Sequence, residues 1–366
     1  MSKNRAYKTF GLHLALLAMS AIFIFALQPS SADDEIEDLA LIRMPIDIKD
    51  NRLHVTFNVK GQPVRMLLDT GASISILFES NHLQADSLPL DDTIDVSFPA
   101  FKTSTSGNKL PKIDFQADGF SYASNDTIFI RHRHDISDAL SANIDGILGR
   151  DFFEAYVVEI DSVAKIMTLY PNGTKIGHLY RYRHHLFMDD GAPYLVHRSR
   201  LPWEMRKTPK KLLLDIGYPG GIVFWDKKQF EQATSERERP ALLEENKGVL
   251  YFGLVRFGRL IFRNIPIFIA PEAPQQAHDR DGIIGATMFR PFRYAIDFNR
   301  GSLWLTPHEG NYGAGFTIAN DAIYTPGNEE FVQKDFAPKF CISPKMTLNA
   351  SQTRIPSDED KSRDNC

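Results

Sequence analysis

The chain is short of cysteine. It has two in 366 residues, Cys341 and Cys366, both near the carboxyl end. That excludes a disulfide-built scaffold and a cysteine-ligated zinc site. Surplus positive charge is missing too. Lys and Arg number 42 against 46 Asp and Glu, a net charge of −4. The basic face carried by nucleic-acid binders is absent, and no nucleic-acid partner is expected. Long helical periodicity is rare. The best stretch runs from Lys227 to Asn246, and Pro240 interrupts it. No Gly-x-Ser-x-Gly elbow and no Gly-Lys-Ser/Thr phosphate loop occurs. Arg131-His132-Arg133-His134 and His184-His185 are rich in histidine. They lack the His and carboxylate spacing of a metal site and read as solvated loops. Trp203, Trp225 and Trp304 read as packing residues. With 43% hydrophobic and 24% charged side chains, the composition is that of a globular protein of about two domains.

The first 32 residues contain no acidic side chain. Lys3, Arg5 and Lys8 precede an apolar run from Phe10 to Leu27, and Ser30-Ser31-Ala32 follows. This is the three-part layout of a secretory signal peptide, cut after Ala32. An 18-residue run is also at the lower edge of what spans a bilayer, so an uncleaved membrane tether stays open. His13, Ser20 and the small-residue exit favour cleavage. Removal takes away three cations and leaves a net charge of −7. The expected location is periplasmic or secreted, where Cys341 and Cys366 could pair or stay free.

Beyond the acidic start at Asp33, short runs rich in apolar and β-branched residues alternate with turn signals. Ile42–Ile48, His54–Val59 and Val64–Leu68 are the first three, bounded by Asp-Asn and Gly-Gln. The fold class expected is mostly β with a few short helices. An internal repeat organises the chain. Leu67-Leu68-Asp69-Thr70-Gly71 recurs as Leu213-Leu214-Asp215-Ile216-Gly217, and Asp145-Gly146-Ile147-Leu148-Gly149 as Asp281-Gly282-Ile283-Ile284-Gly285. Nine of the 27 positions in 145–171 are identical to those 136 residues later, without a gap. Chance gives about one or two, which points to duplication. The expected segments are a leader at 1–32, one lobe at 33–175, a second at 183–327 and a polar tail at 328–366.

In each half an apolar strand delivers an Asp into a glycine turn. Burying a lone carboxylate there would be costly. Two halves related by a pseudo-twofold axis would bring Asp69 against Asp215, and like charges that close must share a proton. One carboxylate would serve as general base on a water while the other, protonated, polarises an amide carbonyl. Gly71 and Gly217 would let backbone and substrate approach closely.

Asp69-Thr70-Gly71-Ala72-Ser73 after two leucines, with Ile147-Leu148-Gly149 downstream, resembles the signature of the pepsin and retropepsin aspartic proteases. The resemblance covers about 41–172 and again 186–308. It implies a bilobal pepsin-like fold of two duplicated β-barrel lobes, a peptide or protein substrate in the cleft between them, and a flap hairpin. It also implies catalytic Asp69 and Asp215, and substrate contact through Gly71 and Gly217. Thr70, Gly149 and Gly285 would support the site structurally. No metal and no organic cofactor is implied. Since the second lobe supplies the twofold partner, a monomer is expected rather than a homodimer joining two copies of Asp69. Without lobe disulfides or a long basic propeptide, the chain is more similar to bacterial secreted retropepsin-like proteins than to digestive pepsins.

The second half departs from that pattern. Thr or Ser usually follows the catalytic Asp and braces the two loops. Thr70 has the hydroxyl and Ile216 does not, a loss on the order of 1–3 kcal/mol where a partner is orphaned. Tyr218 stands where Ala, Ser or Thr is usual. These departures keep open an inactive, peptide-binding or scaffolding pseudoprotease with a degenerate second lobe. Between Phe98 and Phe115, Thr103-Ser104-Thr105-Ser106-Gly107-Asn108 reads as a hairpin tip. It is either a flap with Gly107 against substrate or an ordinary surface hairpin. Its counterpart would be Val249–Phe262. Asp145 and Asp281 read as structural starts of the following strands. The sequons at Asn125, Asn172 and Asn349 are near chance frequency.

Overall fold

The computed structural model describes residues 39–98, 103–131, 144–199, 208–235, 241–243, 248–257, 260–273, 280–308 and 339–342. The leader at 1–32, most of the tail at 328–366, His132–His134, Trp203 and Cys366 lie outside them.

Among the described residues the first half contains twelve strands. They are β1 (Ile42–Lys49), β2 (Arg52–Val59), β3 (Gln62–Leu68), β4 (Ile76–Phe78), β5 (Thr93–Phe98), β6 (Thr103–Leu110), β7 (Ile113–Ala117), β8 (Phe120–Ser124), β9 (Thr127–Ile130), β10 (Gly146–Leu148), β11 (Tyr156–Asp161) and β12 (Ile166–Pro171). Helix α1 (Arg150–Ala155) sits between β10 and β11. The second half holds β13 (Tyr182–His185), β14 (Phe187–Asp189), β15 (Ala192–Ser199), β16 (Thr208–Asp215), β17 (Ile222–Trp225), β18 (Ala241–Leu243), β19 (Gly248–Phe257), β20 (Leu260–Ala270), β21 (Gly282–Gly285), β22 (Phe292–Asp297) and β23 (Ser302–Pro307). Helix α2 (Lys227–Ser235) follows β17, and β24 (Lys339–Ile342) closes the series. The fold is mostly β and bilobal, in two extended sheets.

Local chemistry accounts for the hairpins. Lys49 pairs with Arg52, Val59 with Gln62, Ala117 with Phe120 and Asp189 with Ala192. The two residues left in each turn, Asp50-Asn51, Lys60-Gly61, Asp118-Gly119 and Asp190-Gly191, all have positive φ, between 42° and 83°. Such turns match the twist of the strands they join, and Asn, Asp and Gly tolerate them best. Exposure alternates along β1, as a half-buried strand requires. In β3 the last three residues, Met66, Leu67 and Leu68, are all buried, because that strand is covered on both faces.

The two halves repeat one pairing scheme. β3 runs parallel to β10, β10 antiparallel to β4, and β4 parallel to β9. Likewise β16 is parallel to β21, β21 antiparallel to β17, and β17 parallel to β20. The halves join through the consecutive strands β13-β23-β22-β11-β12-β1. At the centre of that run β11 pairs antiparallel with β22, Val158 opposite Ile296 and Asp161 opposite Arg293. Antiparallel pairing of equivalent strands is what a twofold axis through the joint produces. Aromatic rings fill the first lobe. Phe57, Phe115, Tyr122 and Phe152 meet in edge and stacked contacts at 5.3–6.3 Å. Each such ring removes roughly 150–250 Å² from water.

Three expectations need correction. Thr103–Asn108 is part of strand β6 rather than a hairpin tip, because the segment pairs with β5, and Asn108 with β9 as well. Helix α2 ends at Ser235, and Ala241–Leu243 is a strand on β19 instead of a continuation toward Asn246. His184 and His185 belong to strand β13 on β23 rather than to a loop. Within the polar tail, Lys339–Ile342 adds a strand to β20.

Candidate active site

The site begins with two apolar strands that end on a carboxylate. In β3 the buried run Met66-Leu67-Leu68 leads into Asp69, whose amide N–H donates to the Leu148 carbonyl of the parallel neighbour β10 at 3.0 Å. In β16 the buried run Leu212-Leu213-Leu214 leads into Asp215, which pairs with Gly285 of β21. The partner strands start in the same way. The carboxylates of Asp145 and Asp281 accept the backbone N–H of Arg65 and Lys211 at 2.9 and 2.6 Å. Both aspartates therefore fix the register of the parallel pairs and lie outside the candidate chemistry.

The two turns interlock through glycine. A Cβ added to Gly71 would fall 2.7 Å from Cγ of Asp215, and one added to Gly217 would fall 2.3 Å from Cγ of Asp69. No side chain fits at either position. Each loop lays bare backbone against the other loop's carboxylate, and the two carboxyl groups meet within hydrogen-bond contact. Both residues are half-buried, crowded by protein yet still open to water. Gly149 and Gly285 hold the turns from behind. A Cβ there would come within 2.4 Å of the Ile74 backbone or 2.5 Å of the Gly220 carbonyl.

Thr70, fully buried, bridges the loops. Its hydroxyl donates to the Leu214 carbonyl at 2.7 Å and accepts the Ile216 N–H at 3.1 Å. Ile216 is also fully buried and has no hydroxyl to return such a bond. The cross-brace expected between the loops is thus present from one side, with one hydroxyl making two bonds.

The carboxylates differ in their surroundings. Oδ1 of Asp69 accepts two backbone N–H groups, from Gly71 at 2.8 Å and Ala72 at 3.1 Å. Oδ1 of Asp215 accepts one, from Tyr218 at 2.9 Å. Burial pushes the Asp69 pKa up, while the two amides, the contact with Asp215 and the Arg52 cation oppose the rise. Burial and then the charge of Asp69 push Asp215 well above the ordinary carboxylate range, against its single amide and the Arg280 cation. Hydrogen bonds donated to a carboxylate favour its charged form. Of the two, Asp215 is the natural holder of a shared proton.

Gly107 lies elsewhere. It is buried in β6, where a Cβ would come within 2.5 Å of Ile128 Cγ2 and 3.2 Å of Val96 Cγ2. The hairpin tip between β5 and β6 falls at 99–102, outside the described residues. Sequence reasoning also missed a polar network behind the first loop. Ser75 Oγ accepts the Gly149 N–H at 3.0 Å and donates to Asp151 at 2.8 Å. The other Asp151 oxygen accepts from Tyr122 and Ser124 at 3.0 and 3.3 Å. Short spacings from the two repeated motifs were the available signal, since Ser75 is four residues past Gly71 and Asp151 two past Gly149. Among the described residues no group of three or more His, Cys, Asp or Glu side chains is placed to hold a metal ion.

A family model described as aspartyl protease matches residues 55–152. That span runs from β2 to α1 and contains Asp69, Thr70, Gly71 and the Ile147-Leu148-Gly149 motif. At family level the match supports an aspartic-type peptidase, a hydrolase of peptide bonds. No curated protein matches the chain.

Proposed function

We propose that this chain is an aspartic endopeptidase in which Asp69 and Asp215 act as a pair on a water and a peptide bond. The observation that carries the reading is the reciprocal approach of each turn's glycine to the other turn's carboxylate. Asp69, with its two amide donors, is the ionised member and takes a proton from the attacking water. Asp215, holding the shared proton, donates a hydrogen bond to the scissile carbonyl as it becomes tetrahedral. The proton taken by Asp69 then goes to the leaving amine, which completes hydrolysis with the pair restored. Activity needs one proton on the pair. It is lost at low pH when both carboxyls are protonated, and it is lost as pH rises through the raised pKa of Asp215.

The test is hydrolysis of a peptide library from pH 3 to 8 by the mature chain and by Asp69→Asn and Asp215→Asn. Each substitution is expected to lower kcat on the order of 10³-fold or more. Turnover retained by Asp69→Asn would sink the chemistry, and turnover retained by Asp215→Asn would point to a pair formed between two copies of Asp69. The buried Ile216 side chain favours one rival, a peptide binder without turnover. Binding of a statine-type inhibitor with no cleavage at any pH would establish it.

A further inference from the structure

The second loop has lost three of the devices that hold the first. Ile216 stands where Thr70 has its hydroxyl, and Gly221 and Thr287 stand where Ser75 and Asp151 form their network. Asp215 nevertheless reaches the pair, its Cγ 2.7 Å from a Cβ built on the facing Gly71, against 2.3 Å for Asp69 and Gly217. The added feature in this loop is the Tyr218 side chain, at the position of Ala72 in the first loop. Its ring lies against two bare Cα atoms. A Cβ at Gly220 would meet Cε1, Cζ and the hydroxyl at 2.5 Å, and one at Gly285 would meet Cδ1 at 2.5 Å. The backbone of Tyr218 is tied at both ends. Its N–H donates to the Asp215 carboxylate at 2.9 Å, and its carbonyl accepts the Ala286 N–H at 2.9 Å. The flat ring is wedged between the loop and the end of β21, against the residue whose amide holds Asp215.

We propose that Tyr218 is a positioning residue for Asp215, its ring replacing the brace that Ile216 no longer supplies. The inference rests on the aspartic-peptidase reading and concerns one loop of that site. The ring acts through contact with Gly220 and Gly285, and the hydroxyl is secondary. A carboxylate released by even a fraction of an ångström loses its alignment, and displacements near 1 Å cost about 10²-fold.

A coupled set of variants tests this. Tyr218→Ala is expected to lower kcat roughly 30-fold or more with little change in KM. The basic limb of its pH profile moves to lower pH, because a loosened Asp215 is better solvated. Tyr218→Phe keeps the ring and loses far less than Tyr218→Ala. Ile216→Thr, introduced into Tyr218→Ala, restores the hydroxyl brace and recovers most of the lost kcat. If the alanine variant does not fold, Tyr218→Thr is put through the same comparison. Undiminished kcat in Tyr218→Ala, an equal loss in Tyr218→Phe, or no recovery in the double variant would each overturn the proposal. If the unsubstituted chain cleaves no peptide at any pH, the peptidase reading fails separately. Hydrogen exchange over 215–221 then decides the positioning role. Faster exchange in Tyr218→Ala that Ile216→Thr reverses supports it, and unchanged exchange refutes it.

Discussion

The first lobe holds its aspartate with polar groups, and the second holds its own largely by shape. Around Asp69 two amides hold the carboxylate, and behind that loop the Ser75 hydroxyl and the Asp151 carboxylate form a separate network that reaches Gly149, Tyr122 and Ser124. Around Asp215 there is one amide, a ring against two glycines, and Thr287 donating to the Pro219 carbonyl at 2.6 Å. The two loops still meet because a single hydroxyl, that of Thr70, can donate to one backbone group and accept from another. Once one side makes both bonds, the loops still meet when the other side exchanges its hydroxyl for a hydrocarbon arm, although the second loop then has no hydroxyl brace of its own for Asp215. The difference has a chemical result. More donors on Asp69 and fewer on Asp215 separate the proton affinities of two residues that occupy equivalent positions.

That contrast can be attacked at several points. The largest effect is expected at the interlocked glycines. Gly217→Ala and Gly71→Ala each drive a methyl into the opposing carboxylate and should cost roughly 100-fold or more in kcat/KM. Gly217→Ala should be the worse, since its Cβ would lie 2.3 Å from Cγ against 2.7 Å for Gly71. The reverse ranking would mean that the second loop yields more easily than its contacts imply. Next is Thr70→Val, which removes both bridging bonds and should lower the unfolding free energy by about 1–3 kcal/mol in denaturant titrations. Ile216→Val, which trims a methyl(ene) from the facing loop, should cost only about 0.5–1.5 kcal/mol. Matching losses would show that the hydroxyl adds nothing to methyl packing.

The smallest effect belongs to a pair of equivalent strand positions. His54 lies across from Leu67, and Tyr194 lies across from Leu213. Burial and the Arg65 cation hold the His54 pKa down to about 4. Tyr194 instead lies under the Lys211 ammonium, 4.2 Å from the ring centroid. Below its ordinary pKa of 6.5 an unfolded His54 binds a proton that the folded one refuses. Stability from the first lobe therefore falls as pH drops from 6.5 to 4. His54→Leu should flatten the melting temperature across that window and leave its value at pH 8 little altered. An unchanged pH dependence would remove His54 from the account.

Much of this architecture was legible residue by residue. Leu67-Leu68 before Asp69 and Leu213-Leu214 before Asp215 announced two apolar strands leading into an aspartate, and Asp50-Asn51 announced a break between two strands. The failures share a cause. Thr103–Asn108 has the composition of a turn, yet β5 and β9 satisfy its backbone from two sides, and neighbouring strands outweigh local preference. Gly107 looked like a flexible tip, but it is glycine because Ile128 and Val96 leave no room for a Cβ. His184 and His185 looked like solvated loop residues, yet pairing with Leu303 and Ser302 makes them part of the joining sheet. The Ser75–Asp151 contact joins residues 76 apart, a separation at which no local pattern signals contact.

Sequence alone determined which residues could do chemistry here. Two aspartates, each at the end of an apolar run and before a glycine, follow from the order of amino acids and the cost of burying charge. Only the tertiary structure decided that they meet, and that they meet unequally. Their separation depends on how β11 seats against β22 and on how closely bare backbone can approach a carboxylate. Their proton affinities depend on which amide N–H groups end up pointing at each oxygen. The first joins groups 146 residues apart along the chain and is set by packing in three dimensions. The second is set within each loop, by amides two or three residues beyond each aspartate whose aim the packed loop fixes.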